Sequence, residues 1–94
     1  MVSKAILFTK EDCKPCTLTK SFISQFVEPE LIADYLVLMK KENHAALVEA
    51  YDLHLFPTLL VVDHRGEQIL RIEGGKNIRY QIEYILTGIR EATP

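Results

Sequence analysis

A short apolar run, Ala5-Ile6-Leu7-Phe8, is followed four residues later by Cys13-Lys14-Pro15-Cys16. The apolar run is bounded by polar residues, which is the pattern of a buried β-strand. The stretch from Pro15 to Val27 repeats its apolar residues at helical spacing, which places Leu18, Phe22, Ile23, Phe26 and Val27 on one face. Proline suits the first turn of such a helix. The two cysteines of the chain therefore lie where a buried strand gives way to a helix.

The rest of the chain continues to alternate between strands and helices. We predict three more strands, at residues 35–39, 58–62 and 67–73, of which the first is expected to be buried and the last to lie near an edge. Two more helices should carry residues 46–51 and 78–89. Glu28-Pro29-Glu30 is expected to end the first helix, and Asn43 is expected to cap the second.

This order of elements, βαβαββα, predicts an α/β fold built on a four-stranded mixed sheet. Three helices should cover both faces of the sheet. The first two strands should be parallel, because a right-handed helical crossover joins them. The last two strands should form an antiparallel hairpin around a turn at Gly66.

Length and composition indicate an ordinary globular protein. The 94 residues are expected to form one domain, 1–94, with 48% hydrophobic and 26% charged residues. The net charge of −2 and the lack of a basic stripe argue against nucleic-acid binding. No apolar run approaches the roughly 20 residues that span a bilayer, and Met1-Val2-Ser3-Lys4 does not open a signal peptide. We therefore predict a cytoplasmic monomer with no membrane contact.

The cysteine pair indicates reversible dithiol–disulfide chemistry. A disulfide across two residues closes too small a loop to stabilise the fold, and cytoplasmic thiols are kept reduced. The partial positive charge of the helix N-terminus should lower the pKa of Cys13 and make it the nucleophile. Cys16 should be more buried and act as the resolving thiol. Lys10 and Lys14 add positive potential near Cys13, and two neighbouring carboxylates oppose it.

A metal site is an alternative use of such a pair. Zinc would need two further ligands. The histidines are spaced evenly by ten residues and fall on a helix start, a loop and a turn: His44, His54 and His64. We therefore predict no bound metal and surface roles for the histidines, of which His54 is the one expected to approach the cysteines.

Phe56-Pro57-Thr58 is the second informative motif. A proline next to a buried strand is confined to the start of that strand. Because only about one X–Pro bond in twenty is cis, the residues alone favour a trans bond here.

The motifs together resemble those of a known superfamily. With Cys13-Lys14-Pro15-Cys16, Tyr51, Phe56-Pro57-Thr58, Gly66 and Gly74 in this order, the chain resembles the thioredoxin/glutaredoxin superfamily over nearly its whole length. The resemblance implies a thioredoxin-like fold and a thiol–disulfide oxidoreductase that reduces protein disulfides. It also implies that Pro57 is the superfamily's cis-proline beside the cysteines, and that the backbone of Phe56 pairs with the substrate.

The resemblance is divided between two branches. The segment from Phe8 to Cys13 is similar to the glutaredoxin-like reductants that serve ribonucleotide reductase, whereas the segment from Tyr51 to Val62 is similar to thioredoxins. Two thioredoxin residues are missing, because Asp12 replaces the tryptophan before the first cysteine and Leu7 replaces the buried aspartate. Proton transfer at Cys16 is therefore expected to differ from that of thioredoxin.

Glutathione is the small-molecule partner that the glutaredoxin branch implies. Gly74-Gly75 resembles the paired glycines near a glutathione site, but Lys76-Asn77 stands where an aspartate is expected. A protein disulfide is therefore the favoured substrate, with an upstream reductase or glutathione recharging the pair and no other cofactor. The residues expected to bind the substrate are Lys10, Lys14, Pro15, Phe56, Pro57 and Gly74.

Two other functions stay open on the sequence. A thioredoxin-like fold can serve as a redox-independent protein-binding module, because fold does not fix function. Its contact face would then be the surface around Phe56, Pro57 and Gly74. Some glutaredoxins instead hold an iron–sulfur cluster between two subunits, which would use the same cysteines.

Overall fold

A four-stranded sheet forms the centre of the computed structural model, which describes residues 3–93. Its strands are β1 (Lys4–Thr9), β2 (Leu36–Lys40), β3 (Thr58–Val62) and β4 (Gln68–Glu73), arranged in the order β2-β1-β3-β4. β1 runs parallel to β2 and antiparallel to β3, and β3 is antiparallel to β4. The predicted mixed sheet, its parallel pair and its hairpin are confirmed.

Four α-helices surround the sheet, one more than the sequence predicted. They are α1 (Lys14–Phe26), α2 (Pro29–Tyr35), α3 (Ala45–Ala50) and α4 (Gly75–Ala92), and a single 3₁₀ turn at Lys41–Asn43 precedes α3. The segment Glu28-Pro29-Glu30 does end α1, but Pro29 also begins α2 at once. Proline cannot continue a helix, because it has no backbone N–H to donate. It can start one, because the N–H groups of the first turn have no partner within the helix.

Strand residues alternate between two apolar clusters, one on each face of the sheet. The larger cluster buries Ala5 and Leu7 of β1 against residues of α1, α2 and α4. The smaller cluster buries Ile6 and Phe8 of the same strand, with Leu53, under α3 and the loop that follows it. The period of two along a strand explains the division, because successive side chains point to opposite faces.

Three local predictions are wrong. Leu18 was expected on the buried face of α1 but is 50% exposed, because the helix turns Cys16, Thr19 and Ile23 toward the core. The second strand was expected to be buried, but β2 is an edge strand with half-exposed side chains. The residue that caps α3 is His44 rather than Asn43, because the 3₁₀ turn occupies residues 41–43.

The hairpin between β3 and β4 is held by a polar turn. The carboxylate of Asp63 accepts the backbone N–H groups of Arg65 at 2.8 Å and Glu67 at 3.0 Å, and Gly66 has a φ of +82°. The hydrogen bonds from the backbone, Glu67 first, lower the pKa of Asp63 from its ordinary value. The Tyr51 hydroxyl donates to the Gly66 carbonyl and so ties the end of α3 to this turn.

None of the helices within residues 3–93 combines the length and the apolar character that crossing a bilayer requires.

Candidate functional site

The cysteine pair lies at the first turn of α1. β1 ends at Thr9, and a turn that includes Asp12, whose φ is +50°, leads into the helix. Aspartate tolerates this left-handed conformation better than most residues. Cys13 is the N-cap residue of α1, and its Sγ accepts the backbone N–H of Cys16 at 3.2 Å. The two sulfurs are joined in a disulfide bond.

The two sulfurs differ in their exposure. Cys16 is 1% exposed and Cys13 is 8% exposed, so Cys16 is the more buried, as the sequence predicted. Pro15, between the two cysteines in sequence, is exposed, whereas Cys16 is one of the buried residues of α1. A substrate sulfur can therefore reach Cys13 more easily than Cys16.

The loop before β3 brings Phe56 and Pro57 against the cysteines. The Phe56–Pro57 peptide bond is cis, in agreement with the resemblance and against the trans bond that the residues alone favoured. The Phe56 carbonyl oxygen lies 3.8 Å from the Sγ of Cys13. Gly74, with a φ of +92°, donates its N–H to the Pro57 carbonyl at 3.0 Å. The fold thus brings together four residues that were predicted from three separate segments of the sequence: Cys13, Phe56, Pro57 and Gly74.

A polar depression of about 530 Å³ opens beside the sulfurs. Four exposed lysines line it, and we refer to them as the basic face: Lys10, Lys14, Lys20 and Lys40. The carboxylates on the same depression are Glu11 and Asp12. Lys10 and Lys14 were among the substrate-binding residues predicted from the sequence, whereas Lys20 and Lys40 were not.

The two missed lysines could have been found from the geometry of the predicted elements. Lys20 lies two turns after Cys13 on the same helix. Lys40 pairs with Thr9 in the parallel register, so the carboxyl ends of β1 and β2 meet at this edge of the sheet.

The end of β2 and the residues just after it contact two loops near the cysteines, the one that carries Glu11 and the one that carries Phe56. Lys40 Nζ lies 3.3 Å from the Glu11 carboxylate, and the Glu42 carboxylate accepts the Glu11 N–H at 3.1 Å. That hydrogen bond from Glu11 is the main cause that lowers the pKa of Glu42 from its ordinary value. On the other side, Lys41 Nζ lies 5.5 Å from the centre of the Phe56 ring, a distance typical of a cation–π contact.

The first turn of α1 is also packed closely against α4. The buried hydroxyl of Thr19 donates to the Pro15 carbonyl at 2.7 Å and accepts a hydrogen bond from Arg79 at 3.3 Å. A Cβ atom on Gly75 would lie only 2.7 Å from this hydroxyl oxygen. Glycine is therefore needed where α4 begins, and α4 helps to fix the backbone between the two cysteines.

The core beneath the cysteines is apolar. Leu7 is completely buried, and the buried polar side chains within residues 3–93 are all threonines, at positions 9, 19 and 58. Within the same residues, no three His, Cys, Asp or Glu side chains are close enough to form a metal site. His54 is exposed and pairs with Asp52, with Nε2 and Oδ1 2.7 Å apart, on a different depression from the cysteines.

Comparison with known proteins places this fold among the thioredoxins. Neither protein-family models nor curated proteins give a sequence match. Solved structures do match, and the Fasciola hepatica thioredoxin superposes with a TM-score of 0.74 at 14% identity, covering 93% of this chain and 80% of that one. The Malassezia sympodialis thioredoxin gives a TM-score of 0.73 at 12% identity over 92% and 73% of the two chains.

A mitochondrial thioredoxin is similar to the same degree. Mitochondrial thioredoxin 3 of Saccharomyces cerevisiae, in its oxidised form, gives a TM-score of 0.72 at 16% identity, over 92% of this chain and 77% of that one. The chain therefore has the thioredoxin fold, with the Cys13–Cys16 disulfide at the first turn of α1.

Proposed function

We propose that the protein is a dithiol–disulfide oxidoreductase that reduces protein disulfides. One observation carries the proposal: the Cys13–Cys16 disulfide lies at the N-terminus of α1, in contact with the backbone of Phe56. The Cys16 N–H and the positive end of the helix favour negative charge on the Cys13 sulfur. A stabilised thiolate on the less buried of the two sulfurs is the nucleophile that disulfide exchange requires.

The reaction follows two exchanges. The Cys13 thiolate attacks one sulfur of the substrate disulfide, forms a mixed disulfide and releases the other sulfur as a thiolate. Cys16, after losing its proton, attacks the Cys13 sulfur and releases the second substrate thiolate. The substrate gains two electrons and two protons, and the cysteine pair becomes the disulfide seen in the structure.

The residues around the pair position the substrate in this proposal. The Phe56 backbone would pair with an extended substrate segment, and Pro57 and Pro15 would contact that segment next to Cys13. Lys10 and Lys14 lie on the depression next to the same sulfur. The disulfide itself is the redox group, and no other cofactor is required for the exchange.

The finer features of the function are also proposals. We infer a cytoplasmic monomer that an upstream reductase or glutathione recharges, and that donates electrons to targets such as ribonucleotide reductase. A glutathione-linked cycle would be measured by following NADPH consumption with glutathione and glutathione reductase. Recovery of activity with a thioredoxin-type reductase and without glutathione would identify the other route.

A trapping experiment tests the mechanism. The Cys16→Ser variant should accumulate stable mixed disulfides on Cys13, because the resolving thiol is missing. The Cys13→Ser variant is the matched control and should trap far less protein. Equal or stronger trapping by Cys13→Ser would reverse the assigned roles of the two sulfurs.

A disulfide reduction assay tests the function itself. The reduced wild type should reduce the interchain disulfides of insulin, whereas the double variant Cys13→Ser/Cys16→Ser should not. No reduction by wild type with a confirmed free thiol at Cys13 would contradict the proposal. If the double variant then kept its function in cells, the binding-module alternative would be favoured.

A further inference from the structure

We propose that the basic face docks an acidic segment of the protein whose disulfide is reduced. The inference rests on the proposed function, since it names the class of substrate that the same site would take. The group that the basic face would recognise is a run of carboxylates next to a cystine in a protein chain.

The charges on the basic face are largely unneutralised. Within residues 3–93, Lys40 is the lysine of this face that forms an ion pair, and its partner is Glu11. That leaves Lys10, Lys14 and Lys20 against the single carboxylate of Asp12. The whole chain has 13 acidic and 11 basic residues, so this face is opposite in sign to the protein as a whole.

The surface along α3 carries the other sign. A second depression, of about 390 Å³, lies along α3 and the loop that leads to Phe56. Its charged lining consists of three carboxylates, one lysine and one histidine: Glu42, Glu49, Asp52, Lys41 and His54. An acidic segment would be attracted to the α1 side and repelled from the α3 side, which fixes how the substrate lies across Cys13.

The length of the basic face favours a protein segment over a small carboxylate ligand. Lys20 follows Cys13 by seven residues, which corresponds to about 10 Å along the helix. An extended chain advances about 3.3 Å per residue, so the group that meets Lys20 belongs to a residue about three positions from the attacked cysteine. Glutathione has one residue on each side of its cysteine, so it spans less of this distance than a protein segment does.

The substrate must also contain a disulfide, which nucleic acids lack. Charge attraction of this kind raises the rate of encounter and weakens as salt is added. The expected signature is therefore a rate of reduction that depends on the substrate's charge and on ionic strength.

Three synthetic peptides with the same disulfide would test the proposal. Positions two to four residues from the attacked cysteine would carry Asp and Glu in one peptide, Asn and Gln in the second, and Lys in the third. Second-order rate constants for reduction by the reduced protein would be measured at about 20 mM and 300 mM salt. We expect the acidic peptide to react about tenfold faster than the basic one at low salt, and the ratio to approach one at high salt.

Charge reversal on the basic face supplies the matched comparison. Lys20→Glu should lower the acidic-to-basic rate ratio about threefold to tenfold, whereas Lys4→Glu, at the far end of β1, should leave the ratio unchanged. The ratio is taken within one variant, so a general loss of activity cancels.

The outcomes separate the two proposals. Equal rates for the three peptides with active protein would overturn the acidic docking and leave the oxidoreductase function intact. No reduction of any peptide, with Cys13 confirmed as a free thiol, would contradict the function on which the docking rests. If Lys20→Glu slowed oxidised glutathione as much as the acidic peptide, the basic face would be a small-ligand site and the protein-segment proposal would be wrong.

Discussion

The two faces of the sheet differ in how they are held. Among residues 3–93, the larger cluster buries twelve residues between the sheet and α1, α2 and α4, whereas the smaller one buries five under the six-residue helix α3. The smaller face is supplemented by polar contacts, since Arg71 donates to the carbonyl groups of Tyr51 and Asp52 and the Tyr51 hydroxyl donates to Gly66.

The functional site is built from elements that pack on both faces. Cys13 and Cys16 stand on α1, which packs on the larger cluster, whereas Phe56 packs against the smaller one. The sulfurs are therefore fixed by apolar packing, and the loop that meets the substrate depends more on hydrogen bonds near the surface. A redox pair needs fixed sulfurs, and a loop with less packing can adapt to different substrates.

The largest expected effect is a cavity in the larger cluster. Ile82 of α4 is fully buried, so Ile82→Ala should lower the free energy of unfolding by about 2–5 kcal/mol. Leu53→Ala is the matched change in the smaller cluster and should cost less, because its partly exposed neighbours can relax into the gap. Denaturant unfolding of the oxidised proteins measures both. An equal or greater loss for Leu53→Ala would contradict the contrast between the faces.

A second prediction concerns the contact between α4 and the first turn of α1. Gly75→Ala should lower the free energy of unfolding by about 1–3 kcal/mol, because the new Cβ would meet the buried Thr19 hydroxyl. Gly88→Ala in the same helix is the control, since nothing beyond the adjoining helix backbone lies within 4 Å of its new Cβ. That control should be about 0.5–1 kcal/mol more stable than wild type, because alanine loses less backbone entropy in a helix.

Thermal unfolding of the two glycine variants would measure these opposite changes in stability. A neutral effect of Gly75→Ala would show that α4 does not press on the turn that carries the cysteines.

The smallest effect is expected at the polar turn of the hairpin. The depressed pKa of Asp63 means that its carboxylate stabilises the fold above the ordinary value of 3.8, and that this stabilisation is lost as the pH falls through the lower folded value. Asp63→Asn keeps an oxygen acceptor but cannot titrate. The difference in denaturation midpoint between wild type and variant should therefore shrink between pH 5 and about pH 2.

A difference that stays constant over this range would show that the Asp63 charge does not contribute. The same experiment on Glu67→Gln is the control, because Glu67 enters this turn through its backbone N–H rather than its carboxylate.

The sequence was most informative where side-chain periodicity and burial agree. Residues 5–8 and 58–62 alternate between two buried faces, and α4 is long and amphipathic, so their predicted positions are confirmed. α2 was missed because it has seven residues and begins at a proline that was interpreted only as a stop. The exposure of β2 was missed because strand order, which puts β2 at an edge, is not encoded in local periodicity.

The functional site, like the fold, was predicted only in part from the sequence. The position of Cys13 at a helix start followed from residues alone, whereas the cis bond at Pro57 followed only from the resemblance. Lys20 and Lys40 were missed because their approach to the sulfurs depends on helix rotation and on the parallel strand register.

The apolar environment under the cysteines has an electrochemical consequence. Leu7 is completely buried and the buried polar side chains within residues 3–93 are threonines, so the described interior holds no buried carboxylate, histidine or lysine. A bend in a graph of the reduction potential against pH should therefore report a thiol of the pair or one of the exposed carboxylates on the same depression, Glu11 and Asp12. Voltammetry over a range of pH would thus measure the acidity of a helix-capping thiol without a buried carboxylate contributing to the curve.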